Sequence, residues 1–345
     1  MKLSEIKITP LIETLRLEDI DDAIYFSDKY SNYISNSRLT LINPDQDGSP
    51  EKFFETRPKL YSDSLVFGSA VHELVLQENE FELIESVDRP TAKAGAMAEE
   101  LYKPSGIPPT DEEIREASQK IDYYKNSLNN KKISELRNKC NSYWRNRALF
   151  ESGNTSSKTP IYLDAKSRDK LKEVLKSLNK NKDIQNLLHP ETGTTANEKA
   201  LLMDILVEVP GVKPFKLRLK SKLDNYNIDL ENKVITVNDL KTTGKYITDF
   251  GKSIIKYHYY REMAMYCWLL QLYVKNKIKD DTYSIKSNFL VVETFPDYYT
   301  KVSPMTKELF KKGMDEFKKL LKTVAFYCCN GYEGFREELD VSGES

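Results

Sequence analysis

Apolar residues recur at helical spacing through the first part of the chain and at strand spacing after Gly193. Residues 64–78, SLVFGSAVHELVLQE, place apolar side chains at 67, 71, 74 and 75, which is one face of a helix. From Thr110 to about Arg147 the spacing is helical and strongly charged, and Thr110 followed by Glu113 has the form of a capping box. A second charged helix is predicted from Asp164 to Leu188, with ESGNTSSKTP as a flexible loop between the two. Residues 1–30 read as a mixed entry segment, NPDQDGSP over 43–50 as a loop, and Pro90 to Pro109 as irregular and extended. In YISNSRLTLI a serine is placed to cap a short helix. After Gly193 come NEKALLMDILVEV, PFKLRLKSKLD and KVITVNDLKT, three strand-like runs parted by the turn-like PGVKP and NYNIDLEN. A helix from about Tyr257 to Lys275, a strand SNFLVVETF and a last helix from about Met305 to Tyr327 follow. An antiparallel meander with packed helices is an α/β protein in the broad sense. No internal repeat of fixed period interrupts the pattern.

Composition narrows the class. Hydrophobic residues are 39% and charged residues 30% of 345, enough for a buried core. The net charge of -1 points to no polyanion by itself, although basic and acidic clusters alternate along the chain. No apolar run is long enough to span a bilayer, and the first residues lack the apolar stretch of a secretory signal, so an intracellular protein is expected. The four cysteines, Cys140, Cys267, Cys328 and Cys329, form no C-x-x-C pair, which argues for free thiols over a zinc or iron–sulfur site.

Candidate chemistry concentrates between Lys216 and Lys241. Leu217, Leu219, Ser221 and Leu223 fall on one face of a strand, and Lys216, Arg218, Lys220, Lys222 and Asp224 on the other. A basic row ending in an acid suits a phosphate backbone with a cation at its end; it also suits a solvated charged face. In VITVNDLKT, Ile235 and Val237 share a face with Asp239 and Lys241. An acid and a lysine on a core-facing side are costly unless paired. A divalent cation on Asp224 and Asp239 with a substrate phosphate at Lys241 would pair them, and so would a plain Asp–Lys ion pair. His72, four residues after Gly68 on one helix face, can reach a metal or can be a satisfied core histidine. Glu198 shares a strand face with Ala200 and Leu202, as a third carboxylate or as a polar strand end. Glu262 and Tyr266 are i and i+4 on the later helix, with His258 one turn earlier. That face could touch a nucleic-acid backbone, orient Lys241, or make ordinary helix contacts.

Gly-x-x-x-His, then Glu, Asp, Asp-x-Lys and a helix with x-x-x-Tyr resembles, in that order, the RecB-like branch of the PD-(D/E)xK nucleases, and within it the RecE-type and phage recombination exonucleases. FGSAVHELVLQ, KLRLKSKLD, VNDLKTT and REMAMY carry the likeness, with YISNSRL and NGYEGF flanking it, from about Tyr33 to Glu338. The resemblance implies a restriction-endonuclease-like core, a central mixed sheet flanked by helices with an inserted helical region. It implies one nuclease domain over 1–345, with an entry segment at 1–63, a helical insertion at 110–190 and the catalytic sheet and helices at 193–330. It implies Mg²⁺ or Mn²⁺ on His72, Asp224 and Asp239, with the Leu240 carbonyl as a further ligand. Lys241 would be catalytic and Glu198 a further acid, and Lys220, Lys222, Glu262 and Tyr266 would lie along DNA. Glu262 stands where the family helix has Gln, which puts a negative charge near phosphate.

The function implied is exonucleolytic degradation of linear duplex DNA, 5′ to 3′, for recombination or phage DNA processing in the cytoplasm of a bacterial or phage-infected cell. Implied partners are double-stranded DNA ends, a single-strand annealing protein and further copies of the chain, with no membrane. A CRISPR- or restriction-associated nuclease and a non-catalytic DNA-binding or phage structural adaptor are the alternatives. The first usually carries iron–sulfur cysteines that this chain lacks; the complete set of His72, Asp224, Asp239 and Lys241 speaks against the second.

Overall fold

The computed structural model describes residues 2–55, 62–121, 123, 128–332 and 337–338. Glu333 to Phe335 of NGYEGF lie outside the described residues. In chain order the elements are strand β1 (Lys7–Asp19), helix α1 (Asp22–Tyr25), strand β2 (Tyr33–Ile34) and helices α2 (Asn36–Thr40), α3 (Pro50–Phe54) and α4 (Asp63–Leu76). Next are β3 (Phe81–Ile84), α5 (Ala92–Glu100), α6 (Asp111–Lys120), α7 (Asn130–Gly153), β4 (Thr159–Tyr162), α8 (Ala165–Lys180) and α9 (Lys182–Leu188). The chain continues through β5 (Thr194–Val209), β6 (Val212–Asp229), β7 (Val234–Thr243), α10 (Phe250–Lys256) and α11 (Tyr259–Ile278). It closes with β8 (Ser284–Glu293), β9 (Thr300–Pro304), α12 (Lys307–Cys328) and β10 (Glu337–Glu338). The fold is mixed α/β, and among the described residues no helix is long and apolar enough to cross a membrane.

The chain forms two compact units. One comprises residues 1–56, 181–291 and 300–345; the other comprises 57–180 and 292–299. In the first, the sheet order is β1-β5-β6-β7-β8-β9, with β2 and β10 also pairing β6. The β1-β5-β6-β7 pairs are antiparallel and β2 runs parallel to β6, so the sheet is mixed. The expected meander of three strands is present. The entry segment is more than that, because Lys7–Asp19 alternates as a strand despite Pro10. A proline is tolerated only where no ladder bond is needed, and β1 is an edge of the sheet. The turn expected at NYNIDLEN starts later: β6 runs on to Asp229, whose side chain then caps the turn by accepting from the amides of Glu231 and Asn232.

Four asparagines pin the register of the central strands. Asn288 donates to Asn238 at 3.0 Å, Asn238 to Asn225 at 2.7 Å, and Asn225 to Asn197 at 2.7 Å. Asn238 also reaches the Leu187 carbonyl at 3.1 Å. The row crosses β8, β7, β6 and β5 inside the protein, where each amide satisfies the next. A one-residue slip of any strand would break it and turn every side chain to the other face.

Helices α11 and α12 cover the sheet core through Met263, Leu270, Phe317, Leu321 and Val324, all buried. Their close approach depends on Gly313: a Cβ there would stand 2.4 Å from the Tyr260 carbonyl oxygen. The start of α11 is fixed by the buried Arg261, which donates to Asn36 Oδ1 (2.7 Å), Thr40 Oγ1 (2.8 Å) and Glu316 Oε1 (2.8 Å). His258 and Tyr260 also meet Glu316, so the His258 side chain is turned into the protein. Ser35 caps α2 by accepting from the Arg38 amide.

The second unit holds the charged helices. The Thr110–Glu113 capping box opens α6, but α6 and α7 are separate helices, and the helix expected over 164–188 divides at Asn181, which caps α9. Pro90 to Pro109 is not extended throughout: its alanine-rich first half forms α5. Trp144 on α7 donates to the Ala98 carbonyl at 2.8 Å, and Arg147 lies 3.9 Å above the Tyr102 ring between Glu99 and Glu151. β3 and β4 form a small parallel sheet.

Two substitutions test this packing. Gly313→Ala would add about 1 kcal/mol of stability in an unconstrained helix; here the backbone contact makes it destabilising by about 1–3 kcal/mol, read from urea unfolding, and a gain would refute the close approach. Asn238→Ala leaves Asn225 and Asn288 short of partners in the interior and is expected to cost about 3 kcal/mol in the same measurement. A cost within experimental error would mean that the amide row does not hold the register.

Candidate functional site

Three carboxylates share one rung of the sheet. Asn197 pairs Asn225 and Lys199 pairs Leu223, so Glu198 on β5 stands across from Asp224 on β6. The β6–β7 ladder ends at Asn225 and Asn238, and the next rung is Asp224 and Asp239. The acids are thus each one residue from the asparagine row, on the opposite face of the sheet. Backbone pairing fails on both sides of Asp224. Glu198 adopts φ 52, a left-handed conformation rare for a residue with a side chain, and the ladder skips it. On the other side, Asp224 Oδ2 accepts from the Leu240 amide at 2.7 Å in place of a backbone carbonyl. A carboxylate oxygen of Glu198 and one of Asp224 lie within 4.8 Å of each other.

Lys241 closes the other end of the cluster. Its Nζ is 3.0 Å from Asp239 Oδ1, 2.8 Å from Oδ2 and 3.3 Å from Glu262 Oε2. Only the approach to Oδ1 has hydrogen-bond geometry, so Oδ2 is a buried carboxylate oxygen that accepts no hydrogen bond. Tyr266 donates to Glu262 Oε1 at 3.2 Å, and Lys241 Nζ also stands 5.1 Å over the Tyr259 ring.

Burial pushes the Asp239 carboxyl, 1% exposed, well above the usual carboxylate range. Asp224 and Glu262 push the same way, and Lys241 only partly reverses it. Burial also works against the Lys241 ammonium, but Asp239, Glu262 and Asp224 together hold it charged well above its ordinary range. The Tyr266 phenol is held neutral by burial first and by the Glu262 charge second. Glu198 and Asp224 bring carboxylate oxygens within 4.8 Å of each other, with Asp239 on the same rung and only the Lys241 ammonium against it, and such oxygen donors fit a hard divalent cation.

The remaining expected residues fall as follows. His72 is half-buried on α4, in the second unit. Leu240 contributes its amide to Asp224; the expected ligand was its carbonyl. Lys220 and Lys222 do not form an open phosphate-facing row. Lys220 is buried, donates to the Tyr25 carbonyl at 2.8 Å and lies 4.5 Å over the Tyr25 ring, and burial brings its ammonium down to about 8. Lys222 pairs with Asp22 and, at 3.4 Å, with Glu198. The cause is α1, a single turn laid over these lysines, too short to leave a periodic signal. Glu262 turns toward Lys241 and Tyr266, which accounts for an acid at this position. The pattern did not single out Tyr259, three residues before Glu262 on α11, or the asparagine row: Asn225 falls in a turn-like run, and Asn197, Asn238 and Asn288 fall in strand-like runs that say nothing of their pairing.

No family model and no curated protein matches this chain. Among solved structures, a "Putative exonuclease" from Eubacterium rectale is similar at 11% identity, covering 94% of this chain and 92% of that one, with a TM-score of 0.46.

Proposed function

We propose that this protein is a metal-dependent nuclease that hydrolyses phosphodiester bonds in DNA. The observation that carries the reading is Asp239 Oδ2, buried without a hydrogen bond on a rung with two more carboxylates and beside a charged lysine. Such an arrangement wastes free energy in a purely structural strand. Asp239, Asp224 and Glu198 would hold Mg²⁺ or Mn²⁺, and the resemblance in sequence adds His72 and the Leu240 carbonyl as ligands. The cation, when bound, supplies a water of lowered pKa and positive charge at the scissile phosphate.

The chain's own residues do the rest. Lys241 holds its proton and presents an ammonium to a phosphoryl oxygen as negative charge develops there. Glu262, itself held by Tyr266, aims that ammonium and keeps it charged. Asp224 is oriented by the Leu240 amide, and Glu198 by the strained turn of its own backbone and by Lys222. The finer reading is an exonuclease of the RecE type, acting 5′ to 3′ on duplex ends in recombination or phage DNA processing. It would work as a homo-oligomer beside a single-strand annealing protein in the cytoplasm, with the whole chain serving as one nuclease.

The first test is linear duplex DNA with Mg²⁺ or Mn²⁺, against the same mixture with EDTA. Metal-dependent shortening of the duplex is expected, and no degradation at any metal concentration sinks the reading. Two variants then separate the roles. Asp239→Asn removes a buried carboxyl whose pKa, pushed up to about 8 by burial, lies above that of the unfolded chain and so disfavours the folded state at neutral pH. Asn also takes a charge partner from Lys241, so the variant's melting temperature in EDTA serves only as its own baseline, and the increase that Mn²⁺ gives the wild type should be lost. Lys241→Ala should keep that increase yet cleave at least about 100-fold more slowly. Wild-type turnover in either variant would place the chemistry elsewhere.

A further inference from the structure

After β7, the exposed side chains of residues 244–257 form a surface that the nuclease chemistry does not use. The stretch carries Lys245, Lys252 and Lys256 against one acid, Asp249, in a chain whose net charge is -1. Asp249 pairs with Lys252 at 2.7 Å, which leaves Lys245 and Lys256 as its surplus charge. Both are exposed, and both bring Nζ to the Tyr257 ring, at 5.8 Å and 5.6 Å from its centroid. Tyr257 is 43% exposed and Tyr246, next to Lys245, 69% exposed.

Isolated exposed aromatics are ordinary. These are joined to the site: the Tyr257 ring meets Tyr259 at 5.6 Å, Tyr259 stacks on Phe250 at 6.2 Å, and Lys241 Nζ stands over Tyr259. An unbroken path of rings and ammonium groups thus runs from open surface to the residue that would face the scissile phosphate.

An exposed aromatic ring flanked by unspent cations is the chemistry that binds single-stranded nucleic acid, by base stacking and phosphate pairing. In a duplex the base faces are covered by their neighbours, so a ring of this kind takes unpaired bases. We infer that Tyr257, with Lys245 and Lys256, is a stacking platform for unpaired nucleotides of the substrate strand next to the cleavage site. This deepens the nuclease reading and rests on it for the strand's identity.

The test is fluorescence anisotropy in EDTA, where nothing is cleaved, with a labelled oligothymidylate of about 15 nucleotides and an abasic strand of the same length. Tyr257→Ala should bind oligothymidylate about ten-fold more weakly and the abasic strand as the wild type does, while Tyr257→Phe restores the loss. Lys245→Gln with Lys256→Gln should weaken both ligands and flatten the salt dependence. The Tyr257 side chain is at the surface, so a normal melting temperature is expected and confirms that the variant is folded. Wild-type affinity of Tyr257→Ala for oligothymidylate overturns the platform, as does a wild type that prefers the abasic strand. Tyr257-dependent sedimentation with phosphatidylserine vesicles, without any Tyr257 effect on the oligonucleotide, overturns it in favour of a lipid surface. Because binding is read without metal, a Tyr257 effect in a protein that never cleaves DNA would keep the platform and remove the nuclease reading alone.

Discussion

The register between β5, β6 and β7 is the constraint on which the rest depends. The side-chain amides of Asn197, Asn225 and Asn238 fix it from one face of the sheet, and one residue along, on the other face, the same register lines up Glu198, Asp224 and Asp239. Amides are suited to the task because each donates and accepts, so a row of them can be buried without an orphan. Carboxylates cannot do this. Three of them share one rung, and regular pairing breaks off there: the ladder stops beyond Asn238, Glu198 takes a left-handed conformation, and Asp224 accepts from the Leu240 amide.

Electrostatics follow from that placement. Lys241 is the local counter-charge, and it is shared between Asp239 and Glu262. It offsets part of the repulsion and leaves Asp239 Oδ2 without a hydrogen bond. A buried charge that is incompletely compensated costs several kcal/mol of stability (on the order of 3–5 when a partner is missing), a cost that binding a cation would offset. Arg261 and Glu316, one residue and one helix away, hold the start of α11 so that Glu262 and Tyr259 meet the lysine from a rigid support.

Much of this was legible in the residues. The change of period after Gly193 placed β5, β6 and β7, and the alternation in VITVNDLKT put Asp239 and Lys241 on one side. What stayed hidden has physical reasons. Asn225 and Asn227 are turn formers by themselves, and only their partners on neighbouring strands keep them extended. β1 contains Pro10, which reads against a strand unless its edge position is known. The four-residue α1 has no period to detect, so Lys220 and Lys222 looked solvent-facing when they are capped. The left-handed turn at Glu198 is no local preference of glutamate, so the residues alone do not announce it.

Whether the carboxylate row binds a divalent cation is tested most directly by anomalous diffraction from a crystal soaked in Mn²⁺. An anomalous peak is expected about 2.1 Å from Asp239 Oδ2 and from an oxygen of Asp224, with Lys241 displaced from Oδ2. A map with no peak at Asp239, and Lys241 still closed on both of its oxygens, would contradict it.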